Sequence, residues 1–335
     1  MSNNIVTESD GIGHFISDHD LTVPAYQRPY SWKKEQVTQL LEDITTAFES
    51  GDEYFLGSLV LINEGHSRIN IVDGQQRLAT ITILLSTIRN YLQDNDVDSG
   101  RHSDIEKDFL YKRHRRSREA DPRLVLSESN NELFQKIIKR ESTNPTSKSE
   151  KQMVDALKVC TEHIDTLLKP ITPTRKVDRL LDFIEFIEEK VKIISVTTPD
   201  DVNAFTIFET LNDRGLPLSL ADLVKNYLFG LAGNRLEEVK TNWHIMSGAF
   251  RACDSEEQLV DYMSHYWASK YSYSSRPKIF NEIKSRVTSK QQAVDFIKEL
   301  ADSAQSYLAL QNASDPIWQA LGPQAQQDID TLIQL

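Results

Sequence analysis

The sequence has few cysteines, and their spacing fits neither a disulfide framework nor a metal cluster. Cys160 and Cys253 are the two cysteines of the 335 residues, and no CxxC spacing occurs. We interpret both as ordinary buried thiols in a reducing compartment, and we expect a cytoplasmic location. The eight histidines form no HxH or HExxH motif, which argues against a histidine-metal nuclease.

Long hydrophobic runs and an excess of positive charge are also lacking. No run approaches the ~18 apolar residues of a membrane span, and the segment Met1–Asp10 lacks the apolar core of a signal peptide, so we expect no membrane partner. Acidic residues number 50 against 38 basic ones, for a net charge of −12. Such a chain can bind nucleic acid only through a local basic patch.

The sequence does contain a hydrophobic pattern of mixed strands and helices in its N-terminal part and mainly of helices after it. Hydrophobic residues make up 39%, enough for a packed core. We predict an α+β fold, in which a small mixed α/β N-terminal core precedes a mainly helical C-terminal region. The predicted strands are 21–24, 54–62, 68–72, 123–126 and 191–196, and the predicted helices are 33–50, 75–93, 129–140, 150–168, 175–190, 201–211 and 220–231.

The same pattern predicts four parts along the chain. They are a core at 1–95, a basic and polar insertion or linker at 96–149, a helical region with one strand that completes the site at 150–232, and an all-helical region at 233–335. The last helical pattern stops at Leu335 without a terminal signal, so we expect the natural protein to continue into a further domain.

The most informative motif is a strand that runs into a glycine turn and then a helix. In the simplest interpretation Asp73 caps the helix, with Gln76 three residues on. In the functional interpretation Gly74 lets a ligand approach the backbone, Gln75 and Gln76 offer amides, and Arg77 clamps a phosphate. Asp73 would then need a divalent cation between itself and the phosphate. No GxxxxGK[ST] sequence occurs, so this is not a Walker A loop.

A second motif is an aromatic loop before the first long helix. Tyr26 and Tyr30 could stack on bases, Gln27 could bond a base edge, and Arg28 could reach a phosphate. Alternatively, Tyr30 and Trp32 anchor a stiff loop in the core.

A third motif, at the end of a predicted helix, holds Asn212 and Arg214 before Gly215. Gly215 is a natural helix C-cap, so the motif can be simple helix punctuation. In the functional interpretation Asn212 and Arg214 contact the same ligand as Arg77.

A fourth motif is the basic run 112–118, which includes Arg113, Arg115 and Arg116. Most such runs are solvated loops. In an acidic chain this run is nevertheless a candidate for contact with a nucleic-acid backbone.

Taken together, ordered motifs resemble the GmrSD-type N-terminal domain. This is a ParB-like domain of bacterial anti-phage restriction systems, and the family includes the phosphorothioate-sensing SspE proteins. The resemblance rests on Val23–Trp32, Phe55–Leu59, Val72–Leu78, Leu211–Gly215 and Asp222–Lys225.

The comparison with ParB-like domains implies how these motifs act. Such domains carry a glutamine-proline-arginine element before their first helix and a glycine-glutamate-arginine-arginine box that binds nucleotide phosphates. Here Gln27, Arg28 and Pro29 occupy the first element in altered order. Residues 74–77 occupy the box, with Gln75 in place of the acidic residue.

The resemblance implies a domain that binds or hydrolyses a nucleoside triphosphate, GTP or another, with Mg²⁺. It also implies sensing of DNA that carries a modification, and cleavage by a C-terminal or partner HNH-type nuclease. DNA cleavage by this chain alone is therefore not expected. The predicted residues are Asp73, Gln76 and Arg77 for catalysis, Asp73 for the metal, Gly74, Gln75, Arg28, Asn212 and Arg214 for the nucleotide, and Tyr26, Gln27, Tyr30, Arg113, Arg115 and Arg116 for DNA.

Two alternatives stay open. In the first, the chain is a DNA-binding module without nucleotide turnover. In the second, the ParB-like core itself cuts DNA. The sequence also leaves open which nucleotide is preferred, which modification is sensed and whether the protein is a homo-oligomer.

Overall fold

A computed structural model describes most of the chain as two compact units, residues 1–204 and 205–335. Within the described residues, no helix has both the length and the apolar composition needed to cross a bilayer. The structure describes residues 5–63, 67–96, 99–113, 120–199, 204, 207, 219–251, 256–312 and 316–318.

The first unit combines a sheet with helices. Its strands are β1 (Val6–Gly11), β2 (Leu21–Thr22), β3 (Tyr54–Ile62), β4 (Ile69–Asp73), β5 (Tyr111–Arg113), β6 (Ala120–Pro122), β7 (Leu124–Val125) and β8 (Val191–Thr198). Its helices are α1 (Ile12–Asp18), α2 (Lys34–Ser50), α3 (Gln75–Asn95), α4 (Arg101–Ile105), α5 (Glu128–Ile138), α6 (Lys148–Leu168) and α7 (Lys176–Glu189), with a π-helical turn at Glu106–Leu110 and a 3₁₀ turn at Pro173–Arg175.

Six of these strands form one mixed sheet in the order β1-β8-β3-β4-β2-β7. β8 pairs antiparallel with β1 and parallel with β3, β3 pairs antiparallel with β4, and β2 pairs parallel with both β4 and β7. β5 and β6 form a separate hairpin. Because β4 ends at Asp73 and α3 begins at Gln75, the glycine turn lies beside β3, in the middle of the sheet.

Helix α3 is the central helix of this unit. Leu78, Ile81, Leu85 and Ile88 are fully buried, and they belong to the same core as Leu59 of β3. A helix that is apolar on nearly every side is stable only in the interior, so the burial explains its composition. The predicted central helix is confirmed, with its end at Asn95.

The second unit is helical over its described residues. Buried aromatic side chains such as Phe229, Trp243, Tyr262 and Trp267 supply much of its core. Its helices are α8 (Leu220–Ala232), α9 (Leu236–Arg251), α10 (Glu256–Lys270), α11 (Arg276–Arg286) and α12 (Lys290–Ala309), with 3₁₀ turns at Gly233–Arg235 and Pro316–Trp318.

The α+β fold with a mainly helical C-terminal region is therefore confirmed. β1 and α1 were not predicted, because Thr7, Glu8, Ser9 and Asp10 give an edge strand no apolar alternation. The predicted helix 201–211 lies outside the described residues apart from positions 204 and 207, which are helical. The four-part division of the chain stays a prediction.

Candidate functional site

The turn between β4 and α3 depends on a glycine. Gly74 has φ +98°, in the left-handed region, and a Cβ there would lie 2.1 Å from Cδ2 of Leu59. Gly74 is also the N-cap of α3, and no side chain caps this helix. The predicted capping by Asp73, with Gln76 as the partner of a capping box, is therefore wrong, since Asp73 is the last residue of β4.

Arg77 faces the protein rather than open solvent. Its guanidinium donates to the carbonyl oxygens of Leu56 (3.2 Å) and Ser58 (2.8 Å) and to Oδ2 of Asp73 (3.0 Å). Its side chain is 19% exposed. Gly57 makes room for it, because a Cβ at that position would lie 2.1 Å from Nη1 of Arg77. Arg77 thus joins the first turn of α3 to β3 and to the end of β4.

Asp73 is ion-paired with Arg77 and also feels the charge of Arg28. Burial raises the pKa of its carboxyl group, and the guanidinium groups of Arg77 and Arg28 oppose that rise. The backbone amide of Gly74 also donates to the carboxylate and opposes the rise. The carboxylate is 28% exposed, so it remains accessible to a ligand from one side.

The glutamines of the motif hold the aromatic loop. Nε2 of Gln75 donates to the carbonyl of Arg28 at 3.2 Å, and Nε2 of Gln76 donates to the carbonyl of Pro29 at 3.2 Å. Oε1 of Gln76 accepts from the amide of Ser31 at 2.9 Å. In return, Nε2 of Gln27 donates to the carbonyl of Val72 at 3.0 Å. The loop and the glycine turn therefore form one bonded unit.

The aromatic loop is largely turned inwards. Tyr30 is buried, its hydroxyl bonds Oγ1 of Thr80 at 2.8 Å, and its amide donates to Oδ1 of Asn130 at 2.8 Å. Burial raises the pKa of Tyr30. Gln27 is also buried, whereas Tyr26 is half-buried. Both Tyr30 and Gln27 have buried side chains in this structure, and their DNA-binding role stays a prediction.

A small pocket opens between this loop, the start of α3 and the segment before α5. The space that it encloses is about 10 Å³, and the rest of its total of about 210 Å³ is open to solvent. Oε1 of Gln75 is buried and has no hydrogen-bond partner. The residues that line the pocket are Val23, Arg28, Tyr30, Gln75, Gln76, Ala79, Leu126, Ser127 and Asn130.

The structure therefore brings some predicted site residues together and separates others. Arg28, Gln75 and Gln76 line the pocket, whereas Asp73 and Arg77 are not among its lining residues. Ser127 and Asn130 were not predicted, since no local pattern in the sequence shows that they meet α3.

Several predicted residues cannot be placed. Asn212, Arg214, Arg115 and Arg116 lie outside the described residues, as does the side chain of Arg113. Among the described residues, no group of three or more histidine, cysteine, aspartate or glutamate side chains is placed to hold a metal ion. Asp73 is thus a single carboxylate, not part of a preformed metal cluster.

The described residues of the first unit form a mixed α/β domain in which a glycine turn leads from the sheet into a central helix. Over residues 12–229 the chain matches the family described as the GmrSD restriction endonuclease, N-terminal domain, and it belongs to that family. The family places the chain among restriction and defence proteins and implies an interaction with DNA and an associated nuclease domain. No curated protein matches the chain.

Proposed function

We propose that this chain is a nucleotide-binding and hydrolysing sensor domain of a modification-dependent DNA restriction or anti-phage defence protein. In this proposal a nucleoside triphosphate binds at the N-terminal end of α3. Its presence, together with modified DNA, controls cleavage by an HNH-type nuclease domain. The observation that carries the proposal is the set of polar groups at the start of α3: Arg28, the first backbone amides of the helix and the buried Oε1 of Gln75, which has no hydrogen-bond partner.

The pocket offers both positively charged or hydrogen-bond-donating groups and a hydrogen-bond acceptor to a ligand. Arg28 supplies a positive charge, and the first amides of α3 have no acceptor within their own helix. Both favour a phosphate. Oε1 of Gln75 is an acceptor, which a phosphate oxygen cannot satisfy. A ligand that carries a hydroxyl or an amino group beside its phosphates offers a partner to Arg28, to the first amides of α3 and to Oε1 of Gln75.

This combination favours a nucleotide over a DNA backbone. A DNA phosphodiester has no hydrogen-bond donor, so it would leave Oε1 of Gln75 buried and without a partner. A buried acceptor without a partner costs about 1–3 kcal/mol. The same argument disfavours a pure DNA-binding role for this pocket.

The residues present are compatible with Mg²⁺ bound together with a nucleotide. Mg²⁺ is commonly held by one or two carboxylates and by substrate phosphates, so the single carboxylate of Asp73 suffices on the protein side. Bound Mg²⁺ would neutralise phosphate charge. Asp73 would hold it, and Arg77 would fix the orientation of Asp73 through the 3.0 Å ion pair.

Arg77 is accordingly assigned a positioning role. Its guanidinium already donates to Leu56, Ser58 and Asp73, and direct stabilisation of a transferred phosphoryl group would require it to leave these acceptors. Gln76 also acts through position, since both ends of its amide bind the aromatic loop. Arg28 and Gln75 are the proposed direct contacts to the nucleotide.

Calorimetric titration with ATP, GTP, CTP and UTP, each with and without Mg²⁺, tests the proposal. We expect binding of at least one nucleotide, strengthened by Mg²⁺. Arg28→Gln and Gln75→Leu should each weaken it by about tenfold or more, which corresponds to loss of one charged or buried hydrogen bond. Lys151→Gln, an exposed change on α6, is the control and should bind as the wild type does.

Two results would overturn the assignment. One is the absence of binding by all four nucleotides. The other is wild-type affinity in both pocket variants while their circular dichroism shows a native fold. Phosphate release, measured with unmodified and modified duplexes, then separates a nucleotide-hydrolysing sensor from a DNA-binding module without turnover.

A further inference from the structure

A basic segment in the second unit stands out against the acidity of the whole chain. The chain has a net charge of −12, yet residues 270–290 contain one acidic residue, Glu282. This segment spans the end of α10, a loop, α11 and the first residue of α12, and it lies outside the family match at 12–229. We call it the α11 surface. Its basic residues are Lys270, Arg276, Lys278, Lys284, Arg286 and Lys290.

Its single carboxylate is strongly engaged. Glu282 accepts from Nε1 of Trp267 and from Oγ of Ser274, both at 2.7 Å. Lys278 and Arg286 flank it at i−4 and i+4 on the same side of α11, so one acid stands between two bases. The three side chains of Lys278, Glu282 and Arg286 together therefore carry a net positive charge.

Two of the six basic residues are balanced by acids elsewhere in the unit. Lys270 is ion-paired with Glu299 at 2.9 Å, and Arg276 is ion-paired with Asp261. The positive charge that the surface offers to a ligand is therefore assigned to three exposed basic residues, Lys278, Arg286 and Lys290. Lys278, Arg286 and Lys290 are exposed, and Lys284 is half-buried.

Aromatic rings hold two of these cations in place. The guanidinium of Arg286 lies 4.3 Å from the ring centroid of Tyr271, and Nζ of Lys284 lies 5.2 Å from that of Phe280. A stacked guanidinium keeps its in-plane N–H groups available to an outside acceptor. Tyr273, beside them in the sequence, is 90% exposed and offers a further hydroxyl donor.

We propose that the α11 surface binds the phosphate backbone of double-stranded DNA without reading its sequence. Fixed cations and exposed tyrosine hydroxyls are the groups that bind DNA phosphates. An anionic membrane is disfavoured, since the apolar residues Ile279 and Ile283 of α11 are buried rather than available for insertion. The proposal rests on the proposed function only in taking DNA as the polyanion.

Binding of the full chain to a fluorescent 20-bp duplex, without nucleotide and over a range of salt concentrations, tests this surface. The test variant is Lys278→Gln with Arg286→Gln. Each phosphate contact contributes about 0.9 to the slope of log affinity against log salt concentration. We expect the slope to fall by roughly 2 and the affinity near 0.1 M salt to fall by about tenfold or more.

Two further double variants make the test decisive. Lys278→Gln with Lys290→Gln removes the same charge without disturbing the ring contact of Arg286, and it should also weaken binding. Lys151→Gln with Lys169→Gln removes two exposed positive charges from α6 and the residue after it, so it changes net charge equally and should bind nearly as the wild type does.

Four outcomes would overturn the proposal. The first is that the wild type does not bind the duplex, and the second is that both surface variants bind it like the wild type. The third is that the α6 control loses as much affinity as the surface variants do. The fourth is that the surface variants lose binding to anionic vesicles or single-stranded RNA but not to the duplex. None of these depends on nucleotide binding, so the nucleotide titrations can fail or succeed independently of this result.

Discussion

Gly57 has a backbone conformation and a neighbour that together exclude other residues. Its φ is +118°, and Nη1 of Arg77 occupies the space where a Cβ would lie. The site thus depends on a residue without a side chain in the middle of β3. A register shift between β3 and β8 occurs at the same place, between Phe55 and Gly57.

Gly57→Ala should therefore destabilise the protein more than an alanine at another left-handed glycine. We expect a loss of about 3 kcal/mol or more in the free energy of unfolding, from strain and from displacement of the Arg77 guanidinium. Gly51→Ala is the matched control, since Gly51 has φ +78° and nothing lies within 4 Å of its Cβ position. It should lose about 1 kcal/mol. Equal losses in urea unfolding would contradict the packing argument.

Arg77→Ala tests whether this arginine holds the turn. The substitution removes the guanidinium donor from the carbonyls of Leu56 and Ser58 and from the carboxylate of Asp73, which keeps the amide of Gly74. We expect a loss of roughly 2–4 kcal/mol in urea unfolding. Arg101→Ala breaks an exposed ion pair with Asp96 instead and should lose less than about 1 kcal/mol because solvent screens it. An equally small loss for Arg77→Ala would show that its guanidinium is not structural.

At the scale of elements, hydrophobic periodicity predicts α2, β3, α3, α6 and α7 well because each carries its own apolar pattern. Hydrophobic periodicity cannot predict which polar side chains form hydrogen bonds to another element of the fold. The inward-turned amides of Gln75 and Gln76 show this limit. Their bonds to Arg28, Pro29 and Ser31 join residues about 45 positions apart.

The packing of α2 against α6 contains a histidine that makes stability depend on pH. Nε2 of His163 bonds Oγ1 of Thr45 at 2.8 Å, and burial lowers the pKa of His163 while Glu42 opposes this. With the folded pKa lowered, the unfolded chain binds the proton more readily. The contribution of this residue is present above the unfolded value of 6.5 and is lost as pH falls below it.

We therefore expect the wild type to lose more free energy of unfolding between pH 7.5 and pH 5.5 than a His163→Gln variant does. The glutamine keeps a polar group near Thr45 but does not titrate in this range. Urea unfolding of both proteins at the two pH values measures the free energy of unfolding. The contributions of the remaining histidines are the same in both proteins, so they cancel when the two pH dependences are subtracted. An identical pH dependence would show that His163 titrates as it does in the unfolded chain.

At the scale of the whole molecule, the two proposed ligands belong to different units. The pocket residues all lie between positions 23 and 130, in the first unit, and the α11 surface lies in the second. Each unit has buried aliphatic and aromatic side chains of its own. A ligand that binds only the folded form of one unit stabilises that unit by mass action.

Differential scanning calorimetry of the full chain can separate the two sites. We expect two unfolding transitions. A nucleotide with Mg²⁺ at about 100 times its Kd should add about 2.7 kcal/mol to the stability of the first unit and raise one transition only. Duplex DNA at low salt should raise the other. Arg28→Gln should abolish the nucleotide shift and keep the DNA shift, whereas Lys278→Gln with Arg286→Gln should do the reverse. If both ligands raise the same transition, at least one of the two sites is assigned to the wrong unit.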